Sequence, residues 1–170
     1  GILPEPMHKL FLFKVPVDKR LKPFMPQDEI AAILTVIDQN TIQGKWDYAM
    51  ILLAAVTGLR RIDIAELPLA SVDWRCGEIR LIQQKTNTAL ALPLTADVGQ
   101  AIHKYLEARP ISQSNKIFLT AIAPFNGINP NVLNNILKSF CTKAGISHRS
   151  PHALRRGLAT SMVTAGVSVI

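Results

Sequence analysis

The stretch Thr57-Gly58-Leu59-Arg60-Arg61-Ile62-Asp63 follows directly on an apolar run, Tyr48 to Val56, and its reading decides how the rest of the chain is organised. Glycine tolerates the left-handed backbone that commonly closes a helix, so the run predicts a helix ending at Gly58. Its exit turn then sets Arg60 against the core. A guanidinium partly withdrawn from water needs an anion or hydrogen-bond acceptors, and Asp63, one helical turn further on, can orient it without cancelling its whole charge. Taken alone, the stretch has a second reading, the common surface ion pair of an Arg-x-x-Asp helix start.

Working outward, Trp46, Ala49, Met50, Leu53 and Val56 make this helix apolar almost all round, which predicts that it is buried. Before it, Pro26-Gln27-Asp28-Glu29 opens a helix with proline in the first turn and acids at the positive end of the dipole. Ile30, Ile33, Leu34 and Ile37 share one face of that helix, and Gly44 separates the two. Residues 1–20 carry Pro4, Pro6 and Pro16 among Lys9, Lys14, Lys19 and Arg20, a pattern that forbids a continuous helix and reads as a basic linker.

On the other side, Ile62, Ile64, Ala65 and Leu67 make a short helix that Pro68 ends, and the period then changes. Glu78 to Gln83 and Ala89 to Leu94 both alternate, with Thr86-Asn87-Thr88 between them, and predict an antiparallel hairpin with Lys85 at its tip. A tip lysine is commonly only solubilising; a functional role requires Lys85 to reach the same point as Arg60. Asp97 to Arg109 is an amphipathic helix with His103 and Lys104 toward solvent. Asn129-Pro130 suits the cap and first turn of a helix with Val132, Leu133, Ile136, Leu137 and Phe140 inward. Its outer face carries Asn131, Asn134, Asn135, Lys138 and Lys143, side chains able to donate in a nucleic-acid groove and equally at home on any exposed helix. Finally, Ser150-Pro151 caps a helix with Leu154, Leu158 and Met162 inward, placing His152 and Arg155 on one face. That pair is either an anion-binding corner or two surface residues.

Composition narrows the choices. The 170 residues are 48% hydrophobic and carry a net charge of +7, which suits one substantial domain with a polyanionic partner. Aromatic residues are only 6%, which argues against a stacking platform for single strands. Cys76 and Cys141 lack the spacing of a zinc site and read as reduced thiols. The longest apolar run, Ala49 to Val56, is too short to span a bilayer, and the expected location is cytoplasmic and nucleoid-associated, with no membrane partner.

In their order and spacing, Thr57-Gly-Leu-Arg60, the hairpin bearing Lys85 and His152-Ala-Leu-Arg155 resemble the catalytic domain of the tyrosine recombinases, the phage integrase family. The resemblance covers residues from about 21 to 170. It implies an α+β fold, mainly α-helical with a small antiparallel β-sheet. It also implies site-specific breakage and rejoining of double-stranded DNA through a 3'-phosphotyrosyl intermediate, with no cofactor and no metal. Arg60 and Arg155 are then expected to clamp the scissile phosphate, Lys85 to protonate the leaving 5' hydroxyl, His152 to assist proton transfer or hold the phosphate, and Asp63 to fix Arg60 from behind.

Two departures accompany the resemblance. The nucleophilic tyrosine and a further histidine or tryptophan of the family pattern are absent from residues 1–170, and neither Tyr48 nor Tyr105 is a substitute, so a C-terminally incomplete catalytic domain is expected. Residues 1–20 are expected to be the linker from a core-binding domain, and the complete parent to assemble on DNA as a tetramer. Arg156-Gly157 also stands where the family usually continues Arg-His or Arg-Lys. A non-catalytic DNA-binding or regulatory remnant of a mobile element is the alternative.

Overall fold

A computed structural model describes residues 24–155; the basic linker, the inward positions Leu158 and Met162, and Arg156-Gly157 lie outside the described residues. Helix α1, Gln27–Thr35, has Pro26 at its N-cap position and Asp28 and Glu29 in its first turn, where the exposed amides favour carboxylates. Helix α2, Ile42–Thr57, follows after a tight turn in which the Thr41 hydroxyl accepts the N–H of Gly44 at 2.9 Å. Only glycine fits there, because an added Cβ would lie 1.7 Å from the Asp38 carbonyl oxygen. Every residue from Ala49 to Ala55 is buried. A helix apolar on all sides needs neighbours on all sides, and α1 and three later helices supply them. Each fully buried leucine, isoleucine or methionine here contributes roughly 1.5–3 kcal/mol.

Gly58 ends α2 as expected, in the left-handed conformation at φ +64°, with its N–H returned to the Ala54 carbonyl. Helix α3 is short, Arg61–Ala65, with Arg60 extended at its N-cap position. A single 3-10 turn, Leu69–Ser71, leads into strand β1, Val72–Asp73, which the alternation pattern did not reveal because two residues are too few to show one. Strands β2, Glu78–Ile82, and β3, Ala89–Pro93, form the expected antiparallel hairpin, with Ile79 opposite Leu92. The sheet order is β1-β2-β3.

Helix α4, Ala96–Ala108, buries Val98, Ala101, Ile102 and Tyr105 and leaves His103 exposed. Tyr105 stacks on Phe118 at 5.7 Å between ring centres, and Trp46 of α2 meets the same ring edge-on at 6.3 Å. After α4 the chain is held by Arg109, whose guanidinium donates to the carbonyls of Ser114, Lys116 and Ile117.

Helix α5, Val132–Lys143, starts later than the sequence suggests, with Asn131 at the N-cap position. Asn129 and Pro130 build a turn ahead of the helix: the Asn129 side chain accepts the N–H of Asn131 at 2.8 Å. The short polar side chain competes for the nearest backbone donor, which moves the helix start forward. Residues 151–155 are helical again, and Ala153 and Leu154 are buried. Met25 donates its N–H to the Ala153 carbonyl, and Arg149 forms an ion pair with Glu29 of α1 at 3.1 Å, so the two ends of the described region are stitched together. The architecture is mainly helical with a small antiparallel sheet, as the sequence implies.

Candidate functional site

Arg155 donates from Nε to the carbonyl of Gly58, 97 residues earlier. The last carbonyls of a helix have no partner within it, so the exit of α2 offers an acceptor and Arg155 takes it. That contact brings Arg155 beside Arg60, which leaves the same turn. Burial lowers the pKa of Arg155, the neighbouring Arg60 charge lowers it further, and Asp63 opposes both. Two guanidinium groups are thus held together in a partly desolvated corner, where an anion between them would relieve the repulsion. Arg60 is half-buried, and its Nη1 has no hydrogen-bond acceptor among the described residues.

Lys85 and His152 line the same cavity as the two arginines, a space of about 720 Å³. All four predicted residues therefore converge, although they come from an α2 exit turn, a hairpin tip and the helical turn at 151–155. Lys85 is exposed on the loop of the hairpin, which is closed by Gln83 and Thr88 at 2.9 Å and by Asn87 and Gln83 at 2.8 Å, with Asn87 at φ +50°. His152 is exposed in the first turn of its helix.

Asp63 behaves differently from the expectation that it fixes Arg60. No ion pair or hydrogen bond joins the two among the described residues; Asp63 is 1% exposed and its Oδ1 accepts the backbone N–H of Gln84 at 2.8 Å. The reason is local geometry: Arg60 is extended ahead of α3, whereas Asp63 lies inside the helix and turns toward the hairpin. Its electrostatic influence falls on Arg155.

Part of the wall carries no mark in the sequence. Arg61, Asn129, Asn131, Asn134 and Ser150 also line the cavity. Asn131 and Asn134 read as an outer helical face, and nothing in their spacing shows which loop they oppose. No carboxylate is among the residues lining this cavity, so its described wall carries four Lys or Arg cations and neutral donors. A separate cavity of about 680 Å³, lined in part by Asp63, Glu66, Arg80 and Lys116, mixes both signs and suits an anion far less. The described residues hold no group of three or more His, Cys, Asp or Glu side chains arranged for a metal. Tyr105 is buried in the core, Tyr48 is half-buried on α2, and neither lines the cavity. No helix among the described residues is long and apolar enough to cross a membrane.

Such a wall can hold a phosphodiester by its non-bridging oxygens, offer a proton from an ammonium or imidazolium, and stabilise charge as a pentacovalent phosphorus forms. The model of the phage integrase family matches residues 23–170. The chain is 38% identical over 147 residues to a candidate integrase/recombinase of Sinorhizobium fredii (strain NBRC 101917 / NGR234), covering 84% of this chain and 36% of that protein. It is 30% identical over 162 residues to tyrosine recombinase XerD of Neisseria meningitidis serogroup B, covering 93% of this chain and 55% of the relative. In fold it is similar to XerA recombinase, with a TM-score of 0.76 at 19% identity over 88% of this chain and 52% of the other. It is similar as well to XerH recombinase in a complex with its difH substrate, with a TM-score of 0.72 at 17% identity over 85% of this chain and 44% of the other. The chain thus spans between about a third and a little over half of the length of these proteins.

Proposed function

The chain belongs to the phage integrase family, as a tyrosine recombinase catalytic domain, and from that premise we propose that its cationic cavity holds the scissile phosphate of double-stranded DNA during strand breakage and rejoining. The observation that carries this reading is the convergence of Arg60, Lys85, His152 and Arg155 on one cavity without a lining carboxylate. A structural ion-pair network, by contrast, would include acids.

The chemistry follows from the charges. A tyrosine phenol of the complete recombinase passes its proton to solvent or to the His152 relay as its oxygen attacks phosphorus, a P–O bond to that oxygen forms, and the bond to the 5' oxygen breaks. Negative charge grows on the non-bridging oxygens, where Arg60 and Arg155 supply guanidinium donors, Arg155 already braced on the Gly58 carbonyl. The leaving 5' oxygen takes a proton from Lys85, on the mobile-length side chain at the hairpin tip, while His152 donates to the phosphate or relays a proton. Reversal uses the 5' hydroxyl as nucleophile and returns the proton, so the ester carries its own energy for rejoining and no nucleotide is consumed.

Within the whole protein, residues 21–170 act as the catalytic domain and residues 1–20 as the linker to a DNA-clamping core-binding domain. The complete protein works on DNA as a tetramer, in the nucleoid of a bacterial-type cytoplasm. Residues 1–170 alone bind duplex without cleaving it, because Tyr48 and Tyr105 do not line the cavity. A nicked duplex incubated with this chain and resolved under denaturing conditions tests the assignment. No covalent protein–DNA adduct is expected; an adduct through Tyr48 or Tyr105 contradicts it. In the complete recombinase, Arg60→Ala or Arg155→Ala should lower adduct formation by on the order of 10²-fold or more, as loss of a transition-state charge donor does elsewhere.

A further inference from the structure

We propose that Arg61, pinned by Asn131, is a second phosphate-binding position that takes the linkage next along the strand from the one between Arg60 and Arg155. This rests on the phosphate reading of the cavity. Arg61 is exposed, yet its Nη1 donates to Asn131 Oδ1 across 70 residues of sequence, joining the start of α3 to the start of α5. Asn131 is itself fixed, since its N–H is held by the Asn129 side chain.

The identity of the partner matters. Arg80 is paired with Glu78 and Asp73, and Arg149 with Glu29, so carboxylates offset those charges. Arg61 is tied to a neutral amide, which fixes its direction and leaves its charge intact. Of the five N–H donors on a guanidinium, this contact uses one, and the others remain to meet phosphate oxygens.

Geometry separates Arg61 from the first phosphate. Arg60 is extended and half-buried whereas Arg61 is the first residue of α3 and exposed, yet both line the same cavity. Arg60 and Arg61, adjacent in sequence, thus present two guanidinium groups to a space of about 720 Å³ from different depths, and its described wall has no carboxylate to repel a second phosphate.

A purely structural reading makes Arg61–Asn131 a staple between α3 and α5, and salt dependence distinguishes the two. Binding of the 170-residue chain to a fluorescent blunt duplex of mixed sequence is followed by anisotropy over a salt series, for the wild type, Arg61→Gln and Arg61→Lys. Each phosphate neutralised adds about 0.9 to the slope of log affinity against log salt. The proposal expects Arg61→Gln to lower the slope by about that amount and Arg61→Lys, which keeps the charge, to restore it. A slope in Arg61→Gln equal to the wild type, with or without a lower thermal midpoint, overturns it. Arg155→Gln is the control. If that variant loses slope and Arg61→Gln does not, the phosphate cavity stands and only the second position falls. Salt-indifferent binding by the wild type would remove the cavity reading itself.

Discussion

Asp63 Oδ1 accepts the backbone N–H of Gln84 at 2.8 Å, so the helix that follows Arg60 holds the residue that precedes Lys85. One buried carboxylate thereby ties the hairpin tip that bears Lys85 to the helix that follows Arg60. Asp63→Ala should cost about 1–3 kcal/mol in urea unfolding, through loss of a charge-assisted contact to the hairpin. In the complete recombinase it should depress cleavage more than duplex affinity. Asp63→Asn, which retains an acceptor oxygen, should recover most of the stability.

Arg155 is both a cavity residue and a brace on the end of α2. Arg155→Ala should therefore lose about 1–3 kcal/mol of stability as well as duplex affinity, since the Gly58 carbonyl loses a charged donor. Arg155→Lys should restore part of the affinity and little of the brace, because an ammonium lacks the planar fork that serves Gly58 and the cavity together. Equal behaviour of the Lys variant and the wild type in both assays would contradict this division.

Gly44, in the first turn of α2 and not between the helices as its sequence position suggested, packs so closely on the α1–α2 turn that the Asp38 carbonyl lies where a Cβ would be. Gly44→Ala must push that turn apart, and by analogy with overpacked cores should cost about 1–3 kcal/mol or more despite the better helix propensity of alanine. A thermal midpoint at or above the wild type would show that the turn yields freely.

Asp47 is buried in α2, and burial raises its pKa, against smaller opposing effects of the Gln43 hydrogen bond and the Lys143 charge. A raised folded-state pKa means that the folded protein holds this proton more tightly than the unfolded chain. The favourable contribution is complete below the ordinary carboxylate range and is lost as pH rises through the folded value. Asp47→Asn should thus gain stability relative to the wild type at neutral pH, and the gain should shrink on acidification through that window. A difference independent of pH would show that Asp47 ionises in the fold as it does unfolded.

Much of this molecule was legible in its sequence for specific reasons. Gly58 announced the end of α2 because few other residues take φ +64° without strain, and the alternation in Glu78–Ile82 and Ala89–Pro93 announced the hairpin. The four predicted cavity residues lay beside such marks: a helix exit, a hairpin tip and a capped helix start. What stayed hidden were partnerships set by tertiary packing. Asp63 lies three residues from Arg60, and sequence proximity suggested that pair, but helix direction turns the carboxylate to Gln84. Asn131 looked like any exposed helical amide until the fold set it against Arg61. Strand β1 was too short to carry a period, and the start of α5 was displaced by the competing side chain of Asn129.

Duplex phosphate is expected to enter the cavity between Arg60 and Arg155. The most direct measurement is a nuclear magnetic resonance titration of the labelled 170-residue chain with duplex DNA, observing the arginine Nε–H and lysine and histidine side-chain signals. Saturable shifts at Arg60, Lys85, His152 and Arg155, suppressed by added salt, are the predicted result. Shifts confined to other surfaces, such as Lys138 and Lys143 on α5, with those four signals unmoved, would contradict it.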